Sequence, residues 1–289
     1  MDNLQLAFLV FRSRSGSTLF GDRLGRHPEI IVAPETNALP RLVLYFKNKI
    51  IDENKINYSE IIDFLYAEKK LEEWEVPKQL LLKTFEKHKP NSCWKVFYCL
   101  CGLYRDIIKK NAKIFVVKKD GWYSDNAKLL LKIYNNSKIL WMIRDPRATY
   151  NSASKAIYSR TGQPIDKNVF HNSYFWKKYI NKMISMRKES SEKMIEIYYE
   201  KFLFSPEETL SLCWKFLETR NLNKDEMSKI MKKHSSSQLI KQSTQHLHKD
   251  VTNEIFTDYI NKWKDQLPIW KIYLINLICR KQMRETGYF

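Results

Sequence analysis

Leu6 to Phe11 reads LAFLVF, an unbroken apolar run with polar residues on either side. That is the pattern of a strand buried on both faces, which belongs in a parallel sheet covered by helices above and below. The next residues agree. After a turn at Arg12 to Ser15, Ser17 or Thr18 caps a helix carrying Leu19, Phe20 and Leu24, which stops by His27 because Pro28 disfavours helical geometry there. Ile30 to Ala33 returns as a strand, and strand, turn, helix and strand within about 30 residues make a βαβ unit.

The segment from Leu39 to Ala112 reads mostly helical, with an apolar stripe at Ile61, Ile62, Phe64 and Leu65. The alternation then resumes. Ile114 to Val117 is a strand, Asp125 to Tyr134 a helix with Leu129, Leu130 and Ile133 inward, and Ile139 to Ile143 a strand. Asp145 as cap and Pro146 at the first helical position open a helix through about Tyr158. Ile195 to Tyr199 forms a further strand, and Ser205 to Glu208 is a capping box for a helix carrying Leu210, Cys213, Trp214 and Leu217. Residues 232–244 are Lys- and Ser-rich and read as a loop, before an amphipathic stretch from Ile255 to Met283. The whole predicts one α/β unit, a parallel sheet of about five strands flanked by helices, with ligands at the strand C-terminal ends.

Only 7 of the 289 residues are glycine, against roughly 20 at average usage, which excludes collagen-like and low-complexity chains. Gly16, Gly21 and Gly25 take three of the seven, so something near residue 16 needs bare backbone. Lys+Arg 50 against Asp+Glu 32 gives a net charge of +18. That excess is compatible with nucleic acid, an anionic membrane surface or a phosphorylated ligand, and equally with a biased codon supply. Five cysteines with no C-x-x-C pair indicate neither a zinc site nor a disulfide framework, and they read as buried, reduced thiols. The apolar run near residue 6 has no basic region before it, and no stretch reaches the 18 or more apolar residues of a membrane span. The expectation is a cytoplasmic chain with no membrane span.

Two segments carry chemistry. Arg14-Ser15-Gly16-Ser17-Thr18-Leu19 lies between the first strand and its helix, where backbone N–H groups and the helix dipole attract an anion. Gly16 lets the backbone close on it, Ser17 and Thr18 add donors, and Arg14 adds a charge that forks over phosphate oxygens. The lysine and upstream glycine of a Walker A loop are missing, which disfavours an ordinary triphosphate-splitting enzyme. The second segment is Arg144-Asp145-Pro146-Arg147-Ala148 with Ser152 beyond it. Asp145, Thr149 and Ser152 share a helical face, so Ser152 points back toward Arg144 and the two offer a site for a second phosphate. Taken alone, Asp-Pro is also a common helix start and Arg147 a surface charge.

Together these segments resemble the sulfotransferases that use 3′-phosphoadenosine 5′-phosphosulfate (PAPS), most of all the tyrosylprotein and carbohydrate branch. RSGSTL, HPEI and APETNALPRL are similar to the 5′-phosphosulfate loop and the segment after it. KKDGWYSDNAKLLLKIYNNSKILWMIRDPRATYNSASKA is similar to the central lysine and 3′-phosphate motif, and IYYEKFLFSPEETL to the Tyr-Glu strand. The match covers about 100 residues. The resemblance implies the P-loop-kinase-like sulfotransferase fold in a single domain, 1–289. Its PAPS-binding core would be about 4–41, 113–156 and 194–204, and its acceptor-shaping segments 42–112 and 157–193, which carry Tyr45, Phe46, Trp74, Tyr158 and Trp176, aromatics that read equally well as core packing. It implies that Arg14, Ser15, Gly16, Ser17, Thr18 and Leu19 hold the 5′-phosphosulfate, Arg144 and Ser152 the 3′-phosphate, and that Tyr199 lies near adenine. Lys119 would neutralise the sulfuryl group, with Arg14, and Glu35 would be the general base. The family's C-terminal serines and Lys-Trp pair are echoed by Ser236, Ser237, Gln238 and Lys262-Trp263, across a longer gap. Asn37 stands where the protein-tyrosine enzymes carry an Arg for peptide acceptors.

The expected activity is therefore metal-free sulfuryl transfer from PAPS, leaving the bisphosphate PAP, to a hydroxyl or amine of a small-molecule natural product or a glycan. Protein tyrosine is the alternative acceptor. Asp120, Asp145, His27 and His171 are weaker base candidates. A nucleoside or adenylyl-sulfate kinase lacks its G-K-[ST] here, and a basic nucleic-acid-binding protein lacks a recognition signature, so no nucleic-acid partner is expected.

Overall fold

In the computed structural model, residues 4–48, 56–158, 162–232 and 260–289 are described. The chain forms β1 (Gln5–Phe11), α1 (Ser17–Leu24), β2 (Ile30–Val32), α2 (Ala38–Asn48), α3 (Tyr58–Tyr66), α4 (Lys78–His88), α5 (Cys93–Ile108), β3 (Ile114–Asp120), α6 (Trp122–Asp125) and α7 (Ala127–Ile133). After these come β4 (Lys138–Ile143), α8 (Pro146–Lys155), a two-strand hairpin β5 (Ile157–Tyr158) and β6 (Gln163–Pro164), α9 (Val169–Glu189), β7 (Met194–Tyr198), α10 (Tyr199–Phe204), α11 (Pro206–Phe216), α12 (Lys224–Lys232), α13 (Lys262–Gln266) and α14 (Ile269–Glu285).

Five strands form one parallel sheet in the order β2-β3-β1-β4-β7. The expected α/β architecture is present, with β1 at its centre. Leu6 to Phe11 are at most 4% exposed, because the side chains alternate between two covered faces. Phe8 and Val10 join Phe115, Val117, Trp141 and residues of α2 to α5, α9 and α14 on one side. Ala7, Leu9 and Phe11 join Val116, Met142 and residues of α1, α10 and α11 on the other. Each fully buried large apolar side chain contributes about 1.5–3 kcal/mol, so both faces hold the strand in place.

A parallel arrangement puts every strand's C-terminal end at one edge. Val10 lies opposite Lys119 on one side and Trp141 on the other, Phe11 opposite Asp120, and Ile143 opposite Tyr198. Segments 12–16, 33–37, 118–121, 144–145 and 199–200 therefore emerge together although they are far apart in the chain.

Several local expectations are corrected. The cap of α1 is Gly16, not Ser17 or Thr18, because its left-handed backbone turns the chain into the helix. The expected helix Asp125 to Tyr134 is two short helices broken at Asn126, and Leu129 points outward, with Leu130 and Leu131 buried instead. α8 stops at Lys155 and the chain enters the β5–β6 hairpin. Ser205 makes no side-chain cap for α11. Tyr199 opens α10 and is not a strand residue. All five cysteines are buried and free. No helix among the described residues is long and apolar enough to cross a membrane. Ser236, Ser237, Gln238 and the segment 233–244 lie outside the described residues.

Candidate active site

The β1–α1 loop is built on two left-handed residues, Arg14 at φ 70° and Gly16 at φ 84°. At Gly16 a side chain is excluded twice: by this conformation, and because a Cβ would lie 2.1 Å from Cε2 of Tyr199. The Tyr199 ring thus rests on bare backbone. Gly16 offers α1 no side-chain cap, so the first-turn amides face the same edge as the strand ends. Ser15 and Ser17 are buried around the loop, and Leu19 packs its side chain into the core beside Phe20 and Leu24.

The second motif closes over the first. Arg14 Nε donates to Ser152 Oγ at 3.0 Å, and Arg144 Nη1 donates to the Arg14 carbonyl at 2.8 Å. The Arg144 guanidinium lies 4.5 Å above the Tyr199 ring, while its Nε–H is buried without a hydrogen-bond partner. Trp176 Nε1 donates to the Arg144 carbonyl at 2.9 Å. Five of the residues picked out by the sequence, Arg14, Gly16, Arg144, Ser152 and Tyr199, therefore form one cluster.

Lys119 and Glu35 meet beside it. Lys119 Nζ lies 2.8 Å from Glu35 Oε1 and 2.8 Å from Asp120 Oδ1, and Lys70 Nζ lies 3.0 Å from the same Glu35 oxygen. Burial by itself would raise the pKa of Glu35, yet Lys119 and Lys70 outweigh it and hold the carboxyl at about 2. For Lys119, burial opposes the charge, but Glu35 and Asp120 keep its pKa above the ordinary lysine value. Lys118, on the other face of β3, is buried, and desolvation lowers its pKa.

Glu68, missed by sequence reading, accepts from Thr36 Oγ1, Asn37 N and Asn37 Nδ2 at 3.1, 2.9 and 2.6 Å. Trp74 Nε1 donates to the Pro34 carbonyl at 3.0 Å. Trp74 and Trp176 thus hold the loops of the site from within the core.

A further layer braces the Arg144 side of the cluster. Asp145 caps α8 through the Arg147 amide and ion-pairs with the Arg147 guanidinium at 2.7 Å. Glu200 Oε1 accepts from Asp145 N at 3.0 Å and Oε2 from Tyr288 Oη at 2.6 Å. Burial pushes the Glu200 pKa up. Arg147 stacks 4.1 Å above Trp263, and Asn151 Nδ2 donates to Gln266 Oε1 at 2.8 Å, so α13, which begins at Lys262, docks on α8. The other base candidates are otherwise engaged. His27 is buried at the opposite edge against the Arg220 carbonyl and the Glu29 amide, and His171 pairs with Asp166. Among the described residues no group of three or more His, Cys, Asp or Glu gathers to hold a metal.

The Sulfotransferase family profile matches residues 7–223. The protein-tyrosine sulfotransferase 2 of Gallus gallus is 25% identical over 218 residues, 74% of this chain and 51% of its own length. The protein-tyrosine sulfotransferase of Drosophila melanogaster is 23% identical over 219 residues, 74% of this chain and 38% of its own. The chain spans about half the length of the curated relatives it matches. Among solved structures, the sulfotransferase domain from the curacin biosynthetic pathway superposes with a TM-score of 0.63 at 18% identity, over 99% of this chain and 98% of that one. Mouse sulfotransferase SULT7A1 complexed with PAP gives 0.52 at 13% identity, over 97% and 85%. These superpositions establish a shared fold.

Proposed function

The chain belongs to the Sulfotransferase family, and from that premise we propose that it transfers a sulfuryl group from PAPS to a hydroxyl or amine of a small-molecule natural product or a glycan. The observation that carries this reading is the single cluster of Arg14, Gly16, Arg144, Ser152 and Tyr199 beside the Lys119–Glu35 pair. The residues fit the cofactor: bare backbone at Gly16, uncapped amides at α1 and an unpartnered Arg144 Nε–H are donors for an anion. A solved relative of the same fold carries PAP.

In this reading Arg14, Ser15, Gly16, Ser17, Thr18 and the backbone at Leu19 hold the 5′ end, Arg144 and Ser152 the 3′-phosphate, and Tyr199 the adenine side. Lys262, the first residue of α13, is assigned to the cofactor as well. PAPS, when bound, supplies the sulfuryl group, whose sulfur bonds to the acceptor oxygen or nitrogen as its bond to the 5′-phosphate oxygen breaks. Lys119 and Arg14 neutralise charge on the side of the leaving phosphate, the kind of fixed donor whose loss costs about 2.7–4 kcal/mol of transition-state stabilisation. Glu35 takes the acceptor's proton. Held at about 2 by its lysines, its carboxylate is a weak base at rest; drawing Lys119's charge toward the sulfuryl oxygens raises its basicity when it is needed. The core segments 4–41, 113–156 and 194–204 bind the donor, and 42–112 with 157–193 shape the acceptor side. Five free, buried thiols support a cytoplasmic setting.

The relatives' tyrosine activity is the second reading, but Asn37, which stands where those enzymes carry an Arg for peptide acceptors, commits its side-chain amide to the buried Glu68. Labelled PAPS with pooled metabolites and glycans, set against tyrosine peptides, tests the choice: label is expected in the first pool. Preferential labelling of peptides overturns the acceptor assignment, and full turnover by Arg14→Ala and Lys119→Met overturns the assigned roles.

A further inference from the structure

Four consecutive residues of the β2–α2 loop are each met by the turn after α3. Trp74 holds the Pro34 carbonyl, Lys70 holds Glu35, and Glu68 holds both Thr36 and Asn37, so the two segments pair in antiparallel order. Lys119 reaches Glu35 from the sheet and Lys70 reaches it from the helical layer. Both bind Oε1, at 2.8 and 3.0 Å. Oε2 accepts no hydrogen bond from the described residues, which leaves that oxygen available to an acceptor's proton.

Resting on the sulfotransferase reading, we propose that Lys70 is a positioning residue for the general base: it anchors Glu35 Oε1 and sets its basicity while Lys119 serves the transferring group. With Lys119 as its only partner, a half-buried carboxylate would lose its ion pair whenever that lysine turned to the sulfuryl oxygens, and would be free to rotate. Lys70 keeps the charge paired and the oxygen in place. The other groups that act on this carboxylate electrostatically are Lys118 of β3 and the buried Tyr123 of α6, with Asp120, Glu68 and Glu73 beyond them. Lys118 lies on the opposite face of its strand, so Lys70 is the cation placed to hold Oε1 on the acceptor side.

The test is a carboxyl carbon-13 NMR titration of Glu35, identified by its loss in Glu35→Gln, in PAP-saturated wild type, Lys70→Met, Lys70→Arg and the exposed control Lys69→Met. Wild type, Lys70→Arg and Lys69→Met are expected to keep Glu35 ionised down to the acid end of the folded range. Lys70→Met is expected to raise its midpoint by about one pH unit or more. In turnover with PAPS, Lys70→Met should lower kcat and move the acid limb upward by the same interval, with KM for PAPS changed by less than about twofold. A Lys70→Met titration that superimposes on wild type overturns the proposal. If the midpoint moves but the wild-type protein transfers no sulfuryl group to any acceptor pool, the sulfotransferase reading fails while the Lys70–Glu35 coupling stands.

Discussion

At the scale of single residues, Gly16 and Glu35 show how different forces fix a site. A side chain at Gly16 meets a left-handed backbone and the Tyr199 ring, whereas at Gly21 a Cβ would approach Val32 Cγ1 at 3.3 Å with no unusual φ. Gly16→Ala is therefore expected to cost about 1–2 kcal/mol from conformation alone and to push Tyr199 off the loop, weakening PAP binding more than Gly21→Ala does. Calorimetric titration of both variants with PAP checks this; equal affinities would show that the Tyr199 contact is immaterial. Glu35 has the sign of a depressed carboxylate: its folded pKa is about 2 against an ordinary 4.5. The stability it contributes is present above about pH 4.5 and is lost as pH falls toward 2, with a ceiling of about 3 kcal/mol. Urea denaturation at pH 7 and pH 3 is expected to show a smaller acid loss in Glu35→Gln than in wild type, and equal losses would deny the ion pair its energetic role.

At the scale of elements, α8 shows a helix start that serves the site as well as the fold. Asp145 accepts from the Arg147 amide and pairs with the Arg147 guanidinium, which in turn covers Trp263. Asp145→Ala is expected to lose about 1 kcal/mol from the cap alone, together with PAP affinity, while Asp145→Asn keeps an oxygen for the cap and isolates the ionic part. Chemical denaturation and PAP titration of the pair separate the two contributions; if both variants match wild type, the cap is redundant. This element, like β1, β4 and α11, was legible in the sequence because apolar spacing and Asp-Pro or Ser-Pro starts are local signals. The two loop motifs were legible for the same reason. The break between α6 and α7 was not, since it depends on the conformation of Asn126 (φ −116°, ψ 14°) in an otherwise helical pattern. Nor was the turn bearing Glu68, Lys70 and Trp74. Its partners lie 31 to 40 residues away, and a charged residue between two helices gives no local sign of the carboxylate or loop it will hold.

At the scale of the molecule, the sheet order brings the two loop motifs together, but the family match ends at residue 223 and the contacts around them do not. α13 covers Arg147 through Trp263, and Tyr288 reaches Glu200, whose other oxygen holds the Asp145 amide beside Arg144. Segments from three distant parts of the chain thus share one part-buried carboxylate. Because burial already raises the Glu200 pKa, the Tyr288 hydroxyl is one of the donors that keep this group satisfied, and its removal leaves a part-buried oxygen unpaired. Tyr288→Phe changes no other atom and should cost about 1–3 kcal/mol of stability. If Glu200 also positions the Arg144–Asp145 turn, the same variant should bind PAP more weakly, while Tyr273→Phe on the exposed face of α14 should bind it as wild type does. Loss of stability with unchanged PAP affinity would make the C-terminal segment a cover for the fold; loss of both would make it part of the cofactor site.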